Sequence, residues 1–227
     1  MAYDGFPKET VAFLRAIDRN NTKNWFEDHR SDYDKYWLEP AREFVEAVSA
    51  RLQKIAPVVA DPRVNGSIFR INRDVRFSKD KTPYKNHLDF WFWEGERRRA
   101  VTGFYMRIGP KNLGVGAGSH SLRKEHLTTY RDRVVDREAG VALAKAVKSV
   151  ERAGFPVSGE HYKTVPRGYE PANEVQVRLL RHNALWCGTN VPIPEQLYSR
   201  DIVSHVIATW RKLAPIHRWL ATNVQDS

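Results

Sequence analysis

The sequence predicts a single α+β domain over residues 1–227, in which a central, mostly antiparallel sheet packs with N-terminal and C-terminal helices. Apolar residues recur at helical spacing near both ends of the chain, whereas the middle shows strand-like runs separated by turn signals. No repeat, low-complexity segment or linker divides the chain, and 227 residues are enough to bury one sizeable core.

Three helices are predicted before the sheet. The first begins at the N-cap Thr10 and ends at 20–21, and the second covers about 23–36. The third has Pro40 in its first turn and stops at Pro57. Its apolar residues recur at helical spacing: Phe44, Val45, Val48, Leu52 and Ile55.

After residue 62 the pattern changes to four predicted strands, at 67–71, 88–93, 101–108 and 113–117. Charged residues at 94–99 read as the loop of a hairpin between the second and third strands. Alternation along the second strand places Phe90 and Phe92 on one face and Trp91 and Trp93 on the other. Either helices cover both faces of this strand, or one face belongs to the core and the other is open and stacks on bases.

The remainder of the chain is mostly helical in its pattern. Ser121 is expected to cap a helix at 122–135, and Gly154 follows a second helix at about 139–152. Strands are predicted at 162–165 and 185–191, with a helix at 173–181 between them. The last long helix covers about 200–213, after which Pro215 opens a short terminal helix.

Composition narrows the classes of function. The formal net charge is +10, which favours anionic partners. A single cysteine excludes an internal disulfide framework and a thiolate zinc cluster, and eight scattered histidines show no metal-ligand spacing, so we expect no metal and no cofactor. No apolar run approaches the length of a membrane span, and the N-terminus has no signal-peptide pattern; we expect a cytoplasmic protein with no membrane partner.

The segment 69–85 combines dense positive charge with aromatic residues. Its acids are Asp74 and Asp80, and its aromatic residues are Phe69, Phe77 and Tyr84. Between positions 70 and 85 its cations exceed its acids by four, and we expect them to bind an anion: Arg70, Arg73, Arg76, Lys79, Lys81 and Lys85. The alternative is a structural loop held by Arg–Asp pairs, with Phe77 and Tyr84 in the core.

A glycine-rich stretch at 113–119 is the second candidate ligand site. If it forms a turn that leads into the helix beginning near Ser121, its backbone N–H groups face an anion. Gly116, Gly118 and Ser119 are the predicted ligand-binding residues. The spacing matches neither the dinucleotide fingerprint nor the P-loop. The alternative is a strand whose glycine face permits close packing of a helix or of the aromatic hairpin.

The thirteen residues 73–85 resemble the hallmark of a family of conserved hypothetical proteins, domain of unknown function 2461. Further similar segments lie at 13–14, 20–21, 25–26, 104–105, 116–118, 130–131 and 163–169, so the resemblance spans almost the whole chain. It implies a soluble, single-domain protein, mostly bacterial or fungal. It implies no reaction, cofactor or catalytic residue.

Three functions are consistent with these patterns. The first is binding of an anionic, phosphate-bearing ligand by the Arg/Lys segment, either as a binding module or as an enzyme of undefined reaction. The second is nucleic-acid binding through the basic and aromatic hairpin. The third is a structural or protein-interaction domain in which the charged loop is a folding element. No catalytic residue and no oligomeric state follow from the sequence.

Overall fold

The computed structural model describes residues 3–225. Its helices are α1 (Lys8–Arg19), α2 (Lys23–Asp28), α3 (Arg30–Asp32), α4 (Glu39–Leu52), α5 (Lys124–Val135), α6 (Arg137–Arg152), α7 (Glu174–Leu180) and α8 (Asp201–Leu220). Its strands are β1 (Val58–Val59), β2 (Leu88–Glu94), β3 (Gly103–Ile108), β4 (Asn112–Ser119), β5 (Val157–Glu160) and β6 (His182–Pro192). A π-helical stretch, Tyr33–Leu38, joins α3 to α4.

Within residues 3–225, six strands form one sheet in the order β1-β2-β3-β4-β6-β5, and every neighbouring pair is antiparallel. This confirms the predicted α+β class, with helices flanking an antiparallel sheet. The hairpin predicted between the second and third strands is also present, and these strands are β2 and β3.

The helices cover the face of the sheet that carries Phe90 and Phe92. Phe44 of α4 packs on Phe90, and Trp210 of α8 packs edge-on against Phe92. These rings are almost completely buried. Burial of apolar surface is the main favourable contribution to the free energy of folding. Trp91 lies on the opposite face, which borders a groove. The predicted alternation is confirmed, and the idea that helices cover both faces of this strand is wrong.

Several local predictions are wrong because tertiary partners decide them. Residues 162–165 form no strand; the edge strand beside β6 is β5, which lies just before them in the chain. Residues 67–71 make only isolated pairing, mainly with β2, including the bridge between Ile68 and Phe90. Ser121 does not cap α5, which begins at Lys124.

The last long helix, α8, continues through Pro215 to Leu220, so the predicted break is wrong. Proline removes one backbone hydrogen bond from a helix interior. Here Leu213, Ile216 and Trp219 are buried around the proline, and their packing outweighs that loss. In the described part of the chain, no helix is both long enough and apolar enough to cross a bilayer.

Candidate functional site

A cavity of about 830 Å³ lies against the face of the sheet that the helices leave open. We call this cavity the groove. Strand register builds its centre as a row of four residues, in which Trp91 pairs with Tyr105, Tyr105 with Gly116, and Gly116 with Gly188. Cavities of roughly 300–1,000 Å³ lined by aromatic residues are typical of small-molecule sites.

Glycines allow the aromatic side chains of this face to lie across the neighbouring strands. A Cβ added to Gly116 would stand 2.0 Å from Cζ of Tyr105, and one added to Gly103 would stand 2.3 Å from Nε1 of Trp91. The Tyr105 hydroxyl reaches β6, where a Cβ on Gly188 would lie 3.0 Å from it. Because each ring occupies the space of a missing side chain, the sheet has an aromatic floor.

His120 forms one wall of the groove. Its ring lies 4.7 Å from the ring of Tyr105 and 4.8 Å from that of Trp186. Partial burial, with a smaller contribution from the charge of Arg107, lowers the pKa of His120. Its neutral imidazole therefore extends the apolar lining near pH 7.

The glycine-rich stretch is strand β4 and not a turn. The next helix begins only at Lys124, so the predicted anion site at a helix N-terminus is wrong. The three residues assigned to that site nevertheless belong to the groove. Gly118 and Ser119 line it, and Gly116 lies beneath Tyr105. The alternative interpretation, a glycine face that admits the aromatic hairpin, agrees with these contacts.

An ion pair forms one polar end of the groove. Arg107 donates from Nε to Oδ1 of Asp89 at 2.6 Å and from Nη2 to Oδ2 at 3.0 Å. Nε2 of His87 lies 3.2 Å from the same carboxylate. Burial alone would raise the pKa of Asp89, but hydrogen bonds from His87 and Arg107 outweigh burial and lower this pKa to about 2. Arg107 is thus held in one orientation while its side chain remains half exposed.

Two half-buried cations edge the groove beside Phe69. Nζ of Lys85 lies 5.1 Å from the Phe69 ring, and the Arg97 guanidinium lies 6.0 Å from it. Arg97 also stacks over Trp91 at 5.7 Å and Trp93 at 5.0 Å. Burial lowers the pKa of both cations. Among residues 3–225, neither side chain has a hydrogen-bond or ion-pair partner, so both retain their donors for a ligand.

Most of the charged segment forms a projecting loop over residues 72–84, which we call the cationic arm. At its base Tyr84 is buried; its backbone N–H donates to Asn21 at 3.0 Å, and its ring stacks on Phe26 at 4.2 Å. At its tip Phe77 is 95% exposed. One of the two aromatic residues of the arm therefore enters the core, as the structural alternative expected, and the other does not.

Two arginines of the arm are paired with its own acids. Arg73 donates to Asp80 at 2.5 Å, and Arg76 makes a two-point contact with Asp74 at 2.9 and 2.7 Å. Hydrogen bonds from Thr82, and then from Arg73, lower the pKa of Asp80 to about 2. The pair with Asp74 lies in solvent, and Arg76 is 76% exposed. Both pairs give the arm its shape; Arg76 faces solvent, whereas the Arg73 side chain is only 25% exposed.

The other three cations of the segment differ in their contacts. Lys81 donates to the Val75 carbonyl at 2.9 Å. Arg70 and Lys79 are exposed and make no hydrogen bond or ion pair with any residue that the structure describes. Of the six cations expected to bind an anion, Lys85 edges the groove, whereas the other five lie on or next to the cationic arm.

Sequence reasoning missed Tyr105, His120 and Trp186 as members of one site. They are up to 81 positions apart, and they meet because β4 pairs with β3 on one side and with β6 on the other. One signal was available, because glycines at every second position of 114–118 leave one face of a strand without side chains. Among the described residues, no group of histidine, cysteine or acidic side chains is arranged to hold a metal ion.

A family model described as Conserved hypothetical protein (DUF2461) matches residues 9–219. The match includes every strand of the sheet, the groove and the cationic arm. No curated protein matches the chain.

Proposed function

We propose that this chain, which belongs to the conserved hypothetical protein family DUF2461, binds an anionic ligand with a planar ring in the groove. The observation that carries the proposal is the pair of cations beside Phe69. Lys85 and Arg97 are partly buried and make no direct ion pair with a described residue; the charges of Asp89 and Asp61 offset the burial of these two cations only in part. Withdrawing a charge from water is unfavourable unless an opposite charge accompanies it. An anionic group at this edge supplies that charge.

The aromatic floor supports the ring of the proposed ligand. Trp91 and Tyr105 lie across glycines, and His120 with Trp186 forms a wall beside them. Aromatic rings favour offset stacking with other planar groups, and the groove volume of about 830 Å³ accommodates a ring with its substituents.

Arg107 supports a phosphate as the anionic group. A guanidinium binds phosphate through two parallel N–H donors, and Asp89 engages only Nε and Nη2 of this side chain. The groove therefore has cations at two places, Arg107 at one end and Lys85 with Arg97 at the edge. Asp89 is the one carboxylate among its described lining residues.

Tryptophan fluorescence tests this proposal directly, because Trp91 and Trp186 line the groove. Adenosine monophosphate is the probe, with adenosine and inorganic phosphate as its two halves. We expect saturable quenching by the nucleotide and at least ~10-fold weaker binding of either half, which is the loss of roughly 1.4 kcal/mol of interaction.

A double variant, Lys85→Ala with Arg97→Ala, is expected to weaken nucleotide binding at least ~10-fold, because it removes the cations at the edge. The matched control is Lys148→Ala, an exposed lysine on α6 that lies outside the groove. Thermal unfolding of each variant reports whether it is folded. Nucleotide binding by the folded double variant at the affinity of the control would refute the role of this edge.

We also propose that the protein acts in the cytoplasm. The single cysteine is buried and unpaired, which is typical of a protein from a reducing compartment. Fractionation of cells that express the tagged chain tests this location.

A further inference from the structure

We infer that the natural ligand of the groove is single-stranded nucleic acid, with one base on the aromatic floor and the following phosphates directed along exposed cations toward Phe77. This inference rests on the proposed function, because the same groove holds the first nucleotide. It adds the cationic arm as a second part of one binding surface. Proteins that bind single strands combine aromatic stacking with cations that follow the backbone.

A line of cations connects the groove to the arm. Lys85 lies over Phe69 at the groove edge, and Arg70 follows Phe69 in the chain. Burial and then the charge of Arg107 lower the pKa of Lys85, and Arg70 adds a smaller contribution. The hydrogen bonds from Arg76 lower the pKa of Asp74, and the charge of Arg70 again adds to this effect. The charge of Arg70 therefore acts on a residue at the groove edge and on a residue within the arm. Arg70 has no ion-pair partner among the described residues, so it is free to contact a phosphate.

The arm presents Phe77 as an aromatic surface that the chain itself does not use. The ring is 95% exposed, although internal contacts hold the arm on both sides of it. The Arg76 guanidinium lies 5.8 Å from the ring centre, which leaves the opposite ring face open. Lys79 lies two positions further along and is also exposed. An aromatic ring between cations is suited to a base with its flanking phosphates.

The recess of the groove favours a flexible strand over a flat anionic surface. Tyr105 on the floor and Trp186 in the wall of the groove are half buried, whereas Phe77 stands at the tip of the arm. A lipid bilayer reaches the tip but not the recess, whereas a strand can place separate bases at both. Phe77 lies eight positions after Phe69, so the Cα atoms of these two residues are at most about 29 Å apart. This is compatible with binding sites of roughly 4–16 nucleotides.

Fluorescence anisotropy with labelled oligothymidylates tests the inference. The probes are about 3 and about 15 nucleotides long, and adenosine monophosphate is measured in parallel. We expect the long probe to bind at least ~10-fold tighter than the short one, with a steep loss of affinity as salt rises. Phe77→Ala should lower the affinity for the long probe by ~10-fold and leave the affinity for adenosine monophosphate unchanged. Phe77→Trp should restore the affinity, since it retains a stacking ring.

Cation removal supplies an independent readout. The double variant Arg70→Ala with Lys79→Ala should reduce the slope of log affinity against log salt by about 1–2 for the long probe, because each lost phosphate contact contributes about 0.7 on a single strand. Lys148→Ala should leave this slope unchanged.

The outcomes separate this inference from the proposed function. If the nucleotide binds but the long probe binds no tighter than the short one, or if Phe77→Ala leaves the long probe unaffected, the inference fails and the groove proposal stands. If neither nucleotide nor oligonucleotide binds, both fail. Binding to phosphatidylserine–phosphatidylcholine vesicles that depends on Phe77, without binding of the oligonucleotides, would overturn the inference in favour of a lipid partner.

Discussion

Glycine is the residue type that shapes the groove. Gly103, Gly116 and Gly188 lie on one face of three adjacent strands, and the missing side chains make room for Trp91 and Tyr105. Glycine usually weakens a strand, because it loses more conformational freedom on folding and has no side chain to pack. Its presence here is explained by the rings that lie over it.

Gly116→Ala is expected to lower the free energy of unfolding by about 1–3 kcal/mol, because the new Cβ overlaps the Tyr105 ring. Movement of that ring into the groove should also weaken binding of adenosine monophosphate. The control is Gly114→Ala in the same strand, where the nearest atom to the new Cβ is 3.7 Å away, and its stability should change little. Urea unfolding and tryptophan fluorescence measure the two effects. Equal stability of the two variants would contradict this account of the floor.

The cationic arm shows how one element combines folding and exposed contacts. Its base is fixed by Tyr84, which lies among Asn21 and Phe26, and its interior by Arg–Asp pairs. Exposed ion pairs contribute little to stability, typically about 0–1 kcal/mol. The arm therefore depends on its buried base, and its tip is free for contacts outside the chain.

The two aromatic residues of the arm are predicted to differ sharply when replaced. Tyr84→Ala should destabilise the protein by about 3–5 kcal/mol, since it leaves a cavity beside Phe26. Phe77→Ala should change stability by no more than about 0.5 kcal/mol, because the ring is 95% exposed. Thermal or urea unfolding compares them directly. Strong destabilisation by Phe77→Ala would indicate that the whole arm is a folding element.

At the scale of the whole molecule, α8 connects the helical layer to the sheet. His217 of this helix is completely buried, with Nδ1 3.1 Å from the Thr102 hydroxyl and Nε2 3.0 Å from Oε2 of Glu94. A neutral imidazole satisfies both contacts, accepting from Thr102 and donating to Glu94. The carboxylate favours the charged form, but burial dominates, assisted by the charge of Arg218, and lowers the pKa of His217 to about 4.

Stability is therefore expected to fall as the pH drops below about 6.5. Between this value and the folded-state pKa of about 4, the unfolded chain binds a proton at His217 that the folded chain does not bind. Burial lowers the pKa of His182 as well, so its effect has the same sign. Urea unfolding at several pH values measures the slope, and His217→Asn should reduce it. An unchanged slope in a folded His217→Asn variant would exclude this histidine as the cause.

The sequence by itself determined the α+β class, most of the long helices and the two faces of β2, because these follow from local periodicity. It also identified the charged segment as unusual. The sequence also identifies the glycines of β4 as candidates for a site, although the predicted turn is a strand in the structure.

Only the tertiary structure decided which residues meet. The pairing of β4 with β6 joins Gly116 to Gly188 across 72 positions of sequence, and it brings Trp186 to His120. Packing also decided that α8 continues through Pro215. Such long-range contacts depend on which buried surfaces fit together, which no local window of sequence contains. The site therefore became visible only when the strands were in register.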